Sequence, residues 1–184
     1  MDSKVTNNKG RIIEEASKII MNKGVENTSL SDIAKNVGIS KGTLYYYYNS
    51  KSDLISDITE KHLNRISSEM LELAENMSES MSAKDMLNLL FHKIINDETR
   101  DRLHLYLIQD ALTSNSELKE KFKKDYADWR EKINEGLTKV LKEKMESYET
   151  LSLIVLSILD GLIIQNLLGV ENIDVNEITS FLIK

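Results

Sequence analysis

The stretch Lys41-Gly42-Thr43-Leu44-Tyr45-Tyr46-Tyr47-Tyr48, with Lys51 three residues beyond it, concentrates two amines, a threonine hydroxyl and four phenols in a short span. Amines and hydroxyls donate to phosphate oxygens, and the free amides of a helix N-terminus near Lys51 add an anion site. This is chemistry for gripping a nucleic-acid backbone. Other chemistries are poorly supplied. Cysteine is absent, the three histidines His62, His92 and His104 are scattered, and paired Glu-x-x-His motifs of the di-iron kind do not occur. Only Asp101 and His104 come near that spacing, and they stand alone. There is no glycine-rich phosphate loop and no Gly-x-Ser-x-Gly elbow. No metal, cofactor or catalytic centre is expected, and the chain does not read as an enzyme.

The elements that would position the basic and phenolic groups are helices. The 184 residues include no proline, no cysteine and only 7 glycines, with 41% hydrophobic and 29% charged. An ordinary apolar fraction allows a packed core, and the scarcity of turn-forming residues favours helices joined by short turns. Without cysteine a disulfide-stapled secreted domain is excluded, and MDSKVTNNKG lacks the apolar run of a signal peptide, so a cytoplasmic protein is expected.

Helical spacing of Ile12, Ile13, Ala16, Ile19 and Ile20 predicts a first helix that stops at Lys23-Gly24. Ser29 and Asp32 are spaced as a capping box for a short second helix, which Gly38 ends; Ser40 opens a third, and Ser50 with Asp53 caps a long fourth helix reaching roughly Met77. Further helices are expected from Ser82 to the break at Asn96-Asp97, from about Glu98 to Thr113, from a Ser116 cap along Leu118, Phe122, Tyr126, Trp129, Ile133, Leu137 and Val140, over Leu151 to Val170, and from an Asp174 cap through Phe181. The fold class is all-α with about nine helices. Leu103 to Leu112 is apolar nearly all round, which implies burial on most sides.

Short second and third helices joined at a glycine, lying after a longer first helix, are what a helix-turn-helix requires, with Ile33, Ala34, Val37, Ile39 and Leu44 at the buried positions. The rival reading is three small helices of an ordinary bundle. Helical neighbours are about 100° apart, so four tyrosines in a row cannot all face outward, and Tyr48 is the one expected to turn in. Net charge is −6, which taken whole speaks against nucleic acid. Split by region, residues 1–51 hold 8 basic and 5 acidic residues, a balance of +3, while residues 52–184 hold 16 and 25, a balance of −9. A basic head precedes an acidic body.

From Thr28-Ser29-Leu30-Ser31-Asp32-Ile33-Ala34 through Gly38-Ile39-Ser40 to Lys51, the sequence resembles the N-terminal signature of TetR-family transcriptional regulators. The family often has phenylalanine where Tyr48 stands, in keeping with an inward Tyr48 whose hydroxyl needs a partner. The resemblance implies that Ser31, Lys41, Gly42 and Tyr46 neighbour base edges in the major groove and that Thr28, Ser29, Thr43, Tyr45, Tyr47 and Lys51 contact phosphates. It implies a DNA-binding domain over 1–50 and an effector-binding and dimerisation domain over 51–184. The expected protein is a ligand-responsive regulator, a repressor, which binds double-stranded operator DNA as a homodimer and is released by a hydrophobic small-molecule effector. The competing class is a helical ligand-binding or scaffolding protein without specific DNA binding.

Two body segments admit two readings each. Leu151 to Val170 has 13 apolar residues in 20 and could span a bilayer, but Asp160 at its middle would cost about 2.5–3.5 kcal/mol there. A homodimer interface is the better reading, with no membrane as partner. Tyr126 and Trp129 either fill the core or, facing Ile66, Met70, Met86 and Leu90, line an apolar effector cavity with polarity from His104, Gln109 and Asn166.

Overall fold

The computed structural model describes residues 2–75, 81–95, 97–141, 148–170 and 174–183. Among the described residues every regular element is a helix: α1 (Asp2–Lys23), α2 (Leu30–Val37), α3 (Lys41–Tyr47), α4 (Lys51–Glu75), α5 (Ala83–Ile95), α6 (Glu98–Thr113), α7 (Ser116–Leu141), α8 (Tyr148–Leu167) and α9 (Val175–Leu182). The expected end of the fourth helix near Met77 and the Asn96 side of the next break lie outside the described residues.

Hydroxyls and carboxylates set most helix starts. The Ser29 hydroxyl accepts the Asp32 amide at 3.1 Å, and the Asp32 carboxylate accepts the Ser29 amide at 3.3 Å. Ser50 and Asp53 repeat the exchange at 3.0 and 3.1 Å. Ser40 accepts the Thr43 amide, Ser82 the Asp85 amide, and Asp174 those of Asn176 and Glu177. Each such cap contributes about 1 kcal/mol. At α7 the cap is Asn115 and not Ser116: the Asn115 side-chain oxygen accepts the Leu118 amide at 3.1 Å, which makes Ser116 the first helical residue. α8 begins three residues before the expected Leu151 and ends before Gly169, whose φ is +72°.

The described residues fall into two compact units, one of residues 1–64 and 102–120 and the other of 65–101 and 121–184. The head expected over 1–50 lies whole within the first unit, which also takes in the first half of α4 and most of α6. In that unit α1 packs on α2 and α2 on α3, and Ile12, Ile20, Ile33, Leu44, Leu54, Ile58, Leu63 and Leu107 are fully buried. In the second unit α5 packs against α8 and α9, with Met86, Leu87, Phe91, Leu137 and Val155 fully buried. Each such side chain contributes roughly 1.5–3 kcal/mol of burial. α6 is less enclosed than its composition suggests. Leu103, Leu107 and Ala111 are buried, Leu105, Tyr106 and Ile108 half-buried, and Leu112 is 69% exposed.

The turn between α2 and α3 depends on Gly38, whose φ of +76° favours a residue without a β-carbon. Its amide and that of Ile39 return to Lys35 and Ala34 carbonyls, at 3.3 and 3.0 Å, and so satisfy the end of α2. A β-carbon built at Gly38 meets no atom within 4 Å, so the cost of Gly38→Ala comes from the backbone conformation alone. We expect it to destabilise the fold by about 1–2 kcal/mol in thermal or denaturant unfolding. Gly161→Ala, equally uncrowded but inside α8 and without a positive φ, should instead stabilise by up to about 1 kcal/mol.

Candidate nucleic-acid interface and effector site

Four contacts fix the head around its outward face. The Arg11 guanidinium of α1 donates from Nη2 to the carbonyl of Val37, the last residue of α2, at 2.9 Å. Tyr48 is buried at 3% exposure and its hydroxyl donates to Asp57 of α4 at 3.0 Å, while Lys9 of α1 pairs with the same carboxylate at 2.7 Å. Burial and the adjacent Asp57 carboxylate push the Tyr48 phenol well above its usual range, so it stays a donor. Lys23 holds Asp32 at 2.9 Å, and with the Ser29 hydrogen bonds it keeps that carboxyl down at about 2. The third helix is thereby held at its far end by an inward tyrosine, as expected, and the hydroxyl has its partner.

What remains outward is Ser29, Ser31, Lys41, Gly42, Tyr45 and Tyr46, all exposed, with Tyr46 at 78%. Thr43 and Tyr47 are half-buried at the edge of this face; the Thr43 hydroxyl lies 2.8 Å from that of Ser40, and the Tyr47 ring meets Tyr46 edge-on at 5.3 Å. Lys51 is half-buried, its ammonium donating to the Glu26 carbonyl at 3.3 Å. Thr28 departs from its expected place. It is 2% exposed, its hydroxyl donates to the Gly24 carbonyl at 2.7 Å, and its amide donates to the Val25 carbonyl. Both its donors are committed inside the turn, so it shapes the approach to α2 and has nothing left for a phosphate. Arg11 and Asp57, which position the face, carry no local sequence signal, because their partners are 26 residues away for Arg11 and nine for Asp57.

Of the residues expected around an effector, Ile66, Met70, Met86, Leu90 and Trp129 are buried in the second unit. Tyr126 and Trp129 stack at a tilt, ring centroids 5.1 Å apart, and Phe122 lies 6.4 Å from Tyr126. The Trp129 indole donates to Ser67 at 2.9 Å and the Tyr126 hydroxyl to Asp160 at 2.9 Å. Asn166 is turned to another use: its amide donates to the carbonyl of Ile95, the last residue of α5, at 3.0 Å. His104 and Gln109 belong to the first unit. There His104 Nδ1 lies 3.0 Å from His62 Nε2, both rings buried, and Gln109 is exposed beside a cleft of about 220 Å³ that Tyr106, Gly24 and Asp110 also line. Among the described residues no group of three or more His, Asp or Glu is placed to hold a metal ion.

The second unit also holds a buried ionic cluster that spacing did not announce. Arg100, 4% exposed, donates to Asp101 from Nε and Nη2 at 3.1 and 3.0 Å and to Glu69 from Nη1 at 2.9 Å; Arg65 joins Glu69 to Asp97. Burial raises the Asp101 carboxyl from 3.8 to about 6, with Arg100 offsetting part of the effect. The folded chain thus holds this proton more tightly than the unfolded chain. Between pH 3.8 and about 6 folding takes up a proton here, and the contribution of Asp101 to stability falls as pH rises through that window. A carboxyl-resolved NMR titration should place its midpoint near 6, and a midpoint near 4 would show that Arg100 outweighs burial.

Two short helices joined through a left-handed glycine and seated on a preceding helix define a helix-turn-helix protein. The profile of the family described as bacterial regulatory proteins, tetR family, matches residues 12–58, the stretch that contains the head contacts above apart from Lys9 and Arg11. Residues 12–58 are thus a helix-turn-helix domain of the TetR type. The chain is similar to the biofilm operon icaADBC HTH-type negative transcriptional regulator IcaR of Staphylococcus epidermidis, with 31% identity over 112 residues, 60% of this chain and 59% of that protein. It is also similar to the HTH-type transcriptional regulator YerO of Bacillus subtilis, with 26% identity over 180 residues, 96% of this chain and 62% of that one. The chain therefore spans about three-fifths of the length of these relatives. In fold it resembles a protein from Saccharomonospora viridis classed as a transcriptional regulator and crystallised in complex with choline: the TM-score is 0.81 at 20% identity, covering 96% of this chain and 94% of that one.

Proposed function

We propose that the chain is a ligand-responsive transcriptional repressor that binds operator DNA as a homodimer and is released by a small-molecule effector. The observation that carries this reading is the outward face of the helix-turn-helix, where Lys41, Gly42, Tyr45, Tyr46, Ser31 and Ser29 stand exposed on a scaffold whose own polar groups are satisfied behind it. Lysine at the start of the recognition helix suits guanine, and tyrosine and serine hydroxyls suit phosphate oxygens. Two such heads would enter successive major grooves about 34 Å apart.

The dimer reading draws on α8. Leu153, Ile154, Ile164 and Leu168 are 42–75% exposed and recur at helical spacing on the side opposite the buried Val155, Leu159 and Leu162. A second copy would cover them. α8 is also long and apolar enough to cross a membrane; the TetR-type head and the carboxylate of Asp160 in the middle of the helix favour the subunit interface. For release, α4 supplies Lys51 at one end and Ile66 and Met70 further along, and an effector that prefers one placement of this helix over another would shift the heads by its differential affinity. A small-molecule effector is in keeping with the choline carried by the Saccharomonospora viridis protein.

Gel-shift with DNA upstream of its own and neighbouring genes should show binding that survives competitor DNA; absent or sequence-independent binding would favour a helical ligand-binding or scaffolding protein. With the operator in hand, Lys51→Ala should weaken binding and reduce the slope of log K against log salt by about 2 per dimer, at roughly 0.9 per lost phosphate contact. An unchanged slope removes Lys51 from the contact list. Sedimentation at micromolar concentration should give a dimer, and a stable monomer would sink the assignment of the exposed α8 face.

A further inference from the structure

Asp160 is the one charged residue between Leu151 and Val170, and the repressor reading gives it no part in binding an effector. Its helical neighbours Leu156 and Ile163 are 5% and 6% exposed, while Leu153 and Ile164, seven residues before it and four after, are exposed, so half-buried Asp160 lies at the border between the inward side of α8 and its exposed face, with its carboxylate on Tyr126 of α7. Among the described residues its partner is the neutral hydroxyl of Tyr126 at 2.9 Å, with no lysine, arginine or histidine paired to it. A carboxylate taken partly out of water is costly when only a neutral donor meets it. Burial accordingly raises its proton affinity above the ordinary range, and the Tyr126 hydrogen bond offsets part of that. The position is short of a positive charge.

The groups around it suit such a charge. Tyr126 carries Asp160 on its hydroxyl and lies 5.1 Å from Trp129 and 6.4 Å from Phe122, and electron-rich ring faces attract ammonium groups. The hydrogen bonds of Tyr126 to Asp160 and of Trp129 to Ser67 tie two of these rings in place. Among the described residues of the same unit, two further acceptors, Asp101 Oδ2 and Asn134 Oδ1, are buried without a donor. At longer range the balance of −9 over residues 52–184 raises the local concentration of cations and depresses that of anions. An anionic ligand would meet repulsion at Asp160, and an uncharged one would leave the carboxylate uncompensated.

We propose that the effector is an organic cation, an ammonium group on an apolar body, with the Asp160 carboxylate as its counter-ion and the rings of Tyr126 and Trp129 as its aromatic wall. The proposal rests on reading the second unit as the effector-binding body. It narrows the expectation of a merely hydrophobic effector to a charged one, and it makes Asp160 a ligand-binding residue that spacing alone did not single out for that role.

Trp129 is the only tryptophan, so its emission reports on this cluster without ambiguity. The probes are benzyltrimethylammonium and its uncharged isostere neopentylbenzene, titrated into the full chain and followed by tryptophan emission and by calorimetry. The cation should bind saturably and at least about tenfold more tightly than the isostere, a ratio that needs no variant to measure. Asp160→Asn, checked for an unchanged helical circular-dichroism spectrum, should erase most of that preference while leaving the isostere's affinity where it was. Tyr126→Phe, which frees the carboxylate but keeps the ring, should retain the preference. Equal affinity for the two probes, no saturable binding of the cation, or undiminished preference in Asp160→Asn would overturn the proposal. Gel-shift on the same preparation keeps the two readings apart: selective cation binding by a chain that ignores DNA overturns the repressor reading and leaves the cation site standing.

Discussion

An eight-residue helix followed by a seven-residue helix cannot stand on its own hydrogen bonds, because most of its backbone groups lie at ends. Everything the head presents to its surroundings depends on how those ends are closed. α2 is closed three times over: by the reciprocal Ser29 and Asp32 bonds at its start, by the left-handed Gly38 at its finish, and by the Arg11 guanidinium on the Val37 carbonyl. α3 is closed by Ser40 in front and by Tyr48 behind, whose hydroxyl reaches Asp57. Because the polar accounting is completed on the inner side, the outer side is left with hydroxyls and amines that have spare donors. Exposure of tyrosine at 52% and 78% is tolerable there because the packing of the head does not rest on Tyr45 or Tyr46.

The body follows the opposite logic. Where the head turns its charges out, the second unit draws several in. Arg100 is sunk among Asp101 and Glu69, and Asp160 lies against Tyr126. Replacing ionic groups by apolar ones of similar volume is often neutral or stabilising in a core, so such groups are weak evidence for stability and better evidence for a role in recognition or in fixing a particular packing. The acidic excess of the body and the basic excess of the head therefore belong to two different jobs within one chain.

Much of the head was legible because its signals are local. Capping boxes at Ser29 and Ser50, the glycine at 38 and the apolar positions Ile33, Ala34, Val37 and Leu44 are all spaced within one or two helical turns of their partners. The same locality explains where reading failed. Ser116 and Asn115 are adjacent polar residues with similar capping strength, and only the geometry decides that Asn115 takes the Leu118 amide. Thr28 sits among hydroxyl residues of the signature, yet whether it faces out or folds back on Gly24 depends on the turn it belongs to. Arg11 on Val37, Trp129 on Ser67 and Asn166 on Ile95 bridge 26, 62 and 71 residues, and no periodicity of a single sequence carries that information.

The absence of proline from these 184 residues has a kinetic side. Prolyl isomerisation takes about 10–100 s at room temperature and is the commonest source of slow refolding phases in small proteins without disulfides. This chain has no such bond to wait for and no cysteines to pair, and its helices form largely from neighbours in sequence, which shortens the search further. A newly made or heat-shocked copy can regain its shape without isomerase or oxidant, limited by the docking of its helices alone.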